Sequence, residues 1–321
     1  MSKAGAVHSS TTTSPSVPAL PLPVLVVFRG IGQVFFQENA LTGALFVLGI
    51  LLSSPLMALG AVVGSVIGTT TAQLLKFDKA ELVAGIFGFN ATLVGIASFF
   101  FFQPGPASIG LMIVGCVAAA IVTRLARQYL PFPTYTGPFV VVTWVVYFLG
   151  KSLNAASVDP AAGPLVANIP TNFAIEATAH GIGQVMFQGS LWTGLLFLVG
   201  IAINDRVHAG WVLLGSIVGM LLASHHVTEA TRSLDPERLI ERDMFKNIAL
   251  GLYGYNATLA PVALFLWRRS VIPPLLGVLL SVLLTELVPL LGLPALTAPF
   301  VLATWVVLAL GWLETKWLKV S

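Results

Sequence analysis

Gln33 and Gln184 each follow a Gly-Ile-Gly step inside an otherwise apolar stretch. Each therefore puts a carboxamide, with acceptor and donors, where little else is polar. A buried glutamine often does no more than bond a neighbouring helix, but its recurrence in the same octapeptide setting points to a shared task. Thr136 and Thr297 stand between prolines in Phe-Pro-Thr-Tyr-Thr-Gly-Pro-Phe (132–139) and Leu-Pro-Ala-Leu-Thr-Ala-Pro-Phe (293–300). Proline removes a backbone donor and disfavours helix at the residue before it, so these segments free carbonyls beside a hydroxyl. Phe89 and Tyr255 head two copies of Gly-aromatic-Asn-Ala-Thr-Leu, with Leu93 and Leu259 one turn later on the same face. Aromatics in membrane helices most often serve packing. Two related ones beside a carbonyl-lined path would form a slot for a flat molecule.

The ionisable residues read inside the apolar regions are Glu38, Glu176, His180 and Glu286, and none recurs at its counterpart. A proton-coupled pump or a cation channel would carry an intramembrane carboxylate, histidine or lysine relay, so the pattern argues for an uncharged substrate. Glu176 and His180, at i and i+4, offer a local pair near a helix start. The single cysteine, Cys116, lies in an apolar run and reads as core filler, which leaves no disulfide framework or metal cluster. No nucleophile, base and orienting group recur together, which speaks against an enzyme. The Asn-Ala-Thr triplets match a glycosylation sequon but sit in apolar chain, so that match is rejected.

These groups must be held by membrane helices. Of the 321 residues 56% are hydrophobic and 9% charged, with mean hydropathy +0.91, far from the roughly 25% charged residues of a soluble domain. Apolar stretches such as Leu82 to Phe102, Ser108 to Thr123, Leu191 to Ile203 and Val271 to Leu284 reach or approach the ~20 residues that span a bilayer. They lack the strict alternation of a barrel and are expected to be helices. The net charge of +3 comes from Lys and Arg at segment ends, so it reports orientation, not nucleic-acid binding.

The chain repeats itself. Gly30 to Gln37 recurs as Gly181 to Gln188, an offset of 151, with seven of eight positions identical. Gly64, Ser65 and Gly68 recur as Gly215, Ser216 and Gly219, and Phe89 recurs as Tyr255 at an offset of 166, which places an insertion in 225–246. Thr136 to Phe139 with Thr143 and Trp144 recurs as Thr297 to Phe300 with Thr304 and Trp305. Each half reads as one short segment opened by the Gly-x-Gly motif (24–36 and 175–187) followed by about five longer ones. An odd count would invert the second half. Inversion puts Lys76, Lys79, Arg124 and Arg127 on the side of Arg206, Arg268, Arg269, Lys316 and Lys319, the segregation the positive-inside rule asks for. The expected architecture is an all-α membrane protein of two inverted homologous halves, each with about five transmembrane helices plus a short re-entrant or tilted helix, and with broken helices at the pore. Its parts are a disordered cytosolic tail (1–21), first repeat (22–150), linker (151–174), second repeat (175–315) and a short tail (316–321), both termini being cytoplasmic at the inner membrane. The apolar residues Val140 to Phe148 and Val301 to Leu310 are too few for full spans, which favours the broken helices. Inverted repeats bring equivalent segments together near the bilayer midplane.

The Leu-Pro-x-x-Thr-x-Pro-Phe pattern, intact at Leu293 to Phe300 and present with Phe132 for Leu at 132–139, resembles the signature of the urea transporter family. The likeness covers about residues 22 to 315. It implies a homotrimer in membrane lipid, one pore per protomer between the inverted halves, and channel-like passage of urea without a cofactor. Carried over by motif, the pore positions are Gln33, Val34, Phe36, Phe89, Leu93 and Thr136 in the first half and Gln184, Val185, Phe187, Tyr255, Leu259 and Thr297 in the second. The family pattern has phenylalanine where this chain has Tyr255, and glutamate in some bacterial members where it has Gln184. Urea is planar and neutral, and its N–H donors need acceptors of the kind these residues supply, since an unpaired donor in a dry pore costs a few kcal/mol. A channel for ammonia, water or other small amides needs the same neutral lining at another width, and a proton-coupled transporter would instead use the four ionisable residues.

Overall fold

A computed structural model describes residues 21–158, 172–232 and 246–317. The two predicted tails, but for Pro21, Lys316 and Trp317, the middle of the linker and the centre of the predicted insertion lie outside the described residues. The described chain is helical throughout, with no β-strand. The first half runs α1 (Leu22–Gly32), α2 (Ala40–Ser53), α3 (Pro55–Leu74), the one-turn α4 (Lys79–Val83), α5 (Phe89–Phe101), α6 (Pro106–Tyr129) and α7 (Gly137–Ser152). The second runs α8 (Phe173–Gly183), α9 (Leu191–Asn204), α10 (Arg206–Arg232), α11 (Tyr255–Trp267), α12 (Ile272–Leu287) and α13 (Ala298–Trp317). Among the described residues five helices are long and apolar enough to cross a bilayer, or up to seven spans if each bent pair counts as one. The bends are 75° between α1 and α2 and 73° between α8 and α9. This is the all-α membrane fold the sequence leads one to expect, with one short helix and five longer ones in each half and the one-turn α4 besides in the first.

Local chemistry sets most of the boundaries. Asn39 caps α2, its Oδ1 accepting from the Leu41 and Thr42 N–H groups at 2.9 and 3.1 Å. Ser54 caps α3 ahead of Pro55, and prolines also open α6, α7 and α12, where their missing N–H is no loss. Three expectations need correction. The run Leu82 to Phe102 is not one helix: α4 ends at Val83, Gly85 turns the chain at φ +84°, and α5 starts only at Phe89. The break lets α1 come close, for a Cβ on Gly85 would sit 2.4 Å from the Gly30 nitrogen. The Gly-x-Gly motifs close α1 and α8 and do not open them. The helix after Thr297 is not short, because α13 continues past its apolar part to Trp317 and is long enough to span, whereas its counterpart α7 stops at Ser152.

The halves meet through reciprocal contacts. Thr42 Oγ1 donates to the Gly200 carbonyl and Thr193 Oγ1 to the Gly49 carbonyl, both at 2.7 Å, with the Phe46 and Phe197 rings 4.7 Å apart between them. The start of each helix thus meets the end of the other, so α2 and α9, equivalent in sequence, pack antiparallel. Within each half the repeated glycines form seams of close helix packing: a Cβ on Gly64 would lie 2.3 Å from the Ala91 carbonyl oxygen, and one on Gly215 2.0 Å from that of Ala257. Gly64→Ala and Gly215→Ala must therefore push α3 from α5, or α10 from α11, at about 1–3 kcal/mol each. Gly110→Ala, where nothing lies within 4 Å, should be neutral or slightly stabilising. Thermal unfolding of the detergent-solubilised protein distinguishes these; equal midpoints for all three variants would refute the seam.

Candidate functional site

The two threonines predicted from the broken segments come together: Thr136 Oγ1 and Thr297 Oγ1 lie 2.6 Å apart, both buried. Beside Thr297 lies a cavity of about 140 Å³, lined by Gln184, Val185, Phe187, Leu252, Tyr255, Leu296 and Thr297 together with Phe100 and Phe101 of the first half. Five of the predicted positions thus share one space. Gln33, Val34, Phe36, Phe89, Leu93, Thr136 and Leu259 are not among its lining residues. Leu93 and Leu259 are fully buried in the main core, which also holds Val34 and Phe89.

Phe36 and Phe187 each belong to a separate aromatic cluster. Phe36 meets the Tyr135 and Phe300 rings at 5.9 and 6.1 Å. Phe187 meets Phe100 at 4.8 Å and Phe139 at 6.2 Å. Since Phe139 and Phe300 are equivalent, each half's phenylalanine packs on the other half's broken helix. Both phenylalanines sit in left-handed backbone, φ 61° and 62°. Their N–H groups bond back to Gln33 and Gln184, and the next residues' N–H groups to Gly32 and Gly183, the helix ending usually given to glycine. Tyr135 and Leu296, equivalent to one another, are also left-handed at φ 45° and 46°. Bulky residues there cost of order 1–3 kcal/mol and persist only where surroundings over-determine them. Four of the six non-glycine residues with positive φ among the described residues fall in two equivalent pairs at this site. Composition and spacing carry no signal of that.

The carbonyls freed by the prolines do not stay free. Trp144 Nε1 donates to the Pro294 carbonyl and Trp305 Nε1 to that of Pro133, each at 2.9 Å, across the halves. Asn90 accepts the Phe139 N–H at 3.2 Å and donates to Thr123 Oγ1 at 2.9 Å and the Tyr135 carbonyl at 3.4 Å. Asn256 repeats this with Phe300, Thr285 and Leu296. The asparagines read only as part of a motif are therefore clasps on the broken helices, and the repeated tryptophans are braces. Their recurrence in both halves was the available clue. Gln33 donates one amide N–H to the Ala84 carbonyl at 2.9 Å, which leaves its second N–H and its Oε1 acceptor as the groups it could offer a solute.

The predicted ionisable residues stay out of this space. Glu38 is exposed, Glu176, His180 and Glu286 are half-buried, and none lines the cavity. His180 turns away from Glu176, its Nδ1 lying 2.7 Å from the Ala249 carbonyl oxygen. At the equivalent place Arg29 donates to the Val83 carbonyl at 3.1 Å. His208, absent from the sequence reading, is buried at the start of α10 beside Gln37. Among the described residues no group of three His, Cys, Asp or Glu side chains could hold a metal.

A sequence model described as "Urea transporter" matches residues 24–235 and 237–311 of this chain. The chain is 29% identical over 308 residues to the protein named "Urea transporter 1" of Ovis aries, covering 88% of this chain and 76% of that one. It is equally similar, 29% over 309 residues with the same coverage, to that named "Urea transporter 1" of Rattus norvegicus.

Proposed function

Because the chain belongs to the urea transporter family, a family of membrane transporters and not of enzymes, we propose that it passes urea passively along a path between its two halves. The observation that carries this reading is the Thr136 and Thr297 hydroxyl pair, 2.6 Å apart and buried, on the same broken-helix segments whose Phe139 and Phe300 meet Phe187 and Phe36. A planar solute sliding past Phe36 or Phe187 reaches two hydroxyls whose lone pairs can take its N–H groups, with the Gln33 and Gln184 carboxamides supplying further acceptors. The absence of ionisable groups from the cavity lining favours a neutral solute and downhill movement.

The antiparallel contact of α2 with α9 supports an inverted repeat. So does the clustering of cations at one end of the elements: Arg127 pairs with Glu81, Arg124 lies 5.9 Å over the Phe77 ring, and Arg268 pairs with Glu314. We read that end as cytoplasmic, which puts the Phe36 mouth inside and the Phe187 mouth outside. A homotrimer with one passage per protomer, in the inner membrane, belongs to the same reading.

Stopped-flow light scattering on proteoliposomes tests it. Urea flux well above empty liposomes, faster than glycerol or thiourea and ending at equal urea concentrations on the two sides whatever the pH difference across the bilayer, is the expected result. Flux that requires a proton gradient, or none at all, would overturn it.

A further inference from the structure

The turn that carries Phe36 is tied to the opposite half by a chain of amides whose direction is set at one end. Asn39 Oδ1 is committed to capping α2, so Asn39 Nδ2 must donate, and it does so to Asn204 Oδ1 at 3.2 Å. Asn204 Nδ2 then donates to Gln37 Oε1 at 2.7 Å. Gln37, with no exposed surface, is left with its Nε2 to donate, to the Phe35 carbonyl and toward His208 Nδ1 at 3.3 Å. His208 Nδ1 must therefore be an acceptor and carry no proton. The chain cannot simply reverse, because turning Asn39 over would uncap α2. The equivalent turn in the other half has no such partner: Gln188 Nε2 donates to the Met186 carbonyl at 2.8 Å and faces Met57 Sδ at 3.1 Å. Met57 is the sequence equivalent of His208 at the repeat offset of 151.

We propose that His208, acting through Gln37, is a positioning residue for Phe36, so that one mouth of the urea path responds to protonation and the other does not. The proposal rests on the transport reading above. A proton on Nδ1 sets donor against donor at Gln37 Nε2. Relief requires the Gln37 carboxamide to turn, which takes the donor from the Phe35 carbonyl and the acceptor from Asn204, and so frees the left-handed Phe36. The charged groups around His208 are few. On its own helix and cap, Asp205 Oδ2 lies 3.6 Å from His208 Nε2, and Arg206 adjoins. From the turn after α11 comes Arg269, whose guanidinium stacks on the Phe265 ring at 4.7 Å, and from the α1–α2 turn comes exposed Glu38. His208 Nε2 is buried without a hydrogen-bond partner, so an added charge finds Asp205 already in place on that side. The conflict sits on the Gln37 side alone.

The test is urea permeability of proteoliposomes with equal pH on both sides, between about pH 7.5 and 4.5, a range that takes in and extends below the ordinary histidine transition and over which urea does not change charge. The wild type should lose urea flux at least threefold on acidification, with the thiourea-to-urea ratio rising as Phe36 loosens. In His208→Met, and in His208→Gln should the methionine variant not fold, the ratio of fluxes at the two pH values should return to about one. A wild-type flux that is flat with pH, or a pH profile that persists in both variants, overturns the latch while leaving urea transport standing. Absence of urea flux at either pH overturns the transport reading and the latch with it.

Discussion

Replacing Thr136 and Thr297 together by valine is expected to cut urea flux about a hundredfold while leaving the fold intact. The hydroxyls are 2.6 Å apart and buried, and valine keeps their shape. In the resting protein their loss is mild, because removing both partners of a buried hydrogen bond for apolar groups of the same shape can be nearly neutral. A urea molecule between them is another matter. It would leave two N–H donors unpaired in a dry constriction at about 1–2 kcal/mol each, and about 2.7 kcal/mol of added barrier is a hundredfold in rate. Thr136→Ser with Thr297→Ser keeps the hydroxyls and should keep most of the flux. If the valine pair instead left urea flux unchanged, the threonines would be a structural bond and the passage would lie elsewhere.

The second large effect concerns Asn90 and Asn256. Each holds the start of a broken helix by one accepted and one donated bond and ties it by a second donated bond to a threonine of a neighbouring helix, all wholly buried. Asn90→Leu strands the Phe139 N–H and the Tyr135 carbonyl, and at about 1–3 kcal/mol for each buried unsatisfied group the loss is about 3–5 kcal/mol. Against the 5–15 kcal/mol of a typical domain that is a large share. We expect a sharply lowered unfolding temperature and little monodisperse protein, with Asn256→Leu behaving alike. Asn90→Asp, which keeps the acceptor for the Phe139 N–H, should lie between leucine and wild type. A leucine variant as stable as the wild type would show that the broken helices are held by other contacts, such as the Trp144 and Trp305 indoles.

Membrane class, helical fold, the internal repeat and the types of polar residue it carries were all legible in the amino-acid order. Each rests on local or periodic features: apolar length against bilayer thickness, a repeated octapeptide, and proline beside threonine. Of the predicted positions, Gln184, Val185, Phe187, Tyr255 and Thr297 do share a cavity, with Thr136 at hydrogen-bond distance from the last of them. The first half's Gln33, Val34, Phe36, Phe89 and Leu93 are not part of that cavity, and the aromatic surroundings differ: beyond the equivalent Phe139 and Phe300, Phe187 has Phe100 and Phe101 beside it, where Phe36 has Tyr135. What each polar group does was legible only in part, since a hydrogen bond depends on which atoms meet across 30 to 170 residues of chain. Asn90 read only as part of a repeated motif, the freed carbonyl of Pro133 looked available, and His208 looked like nothing at all. Tertiary contact made the first a clasp, gave the second to Trp305, and set the third against Gln37. The break of the Leu82 to Phe102 run is of the same kind: its residues would accept a continuous helix, and only the approach of α1 to Gly85 forbids one. Sequence determined which groups are present and in what order; the packing of one half against the other decided which of them are spent on structure and which remain for a solute.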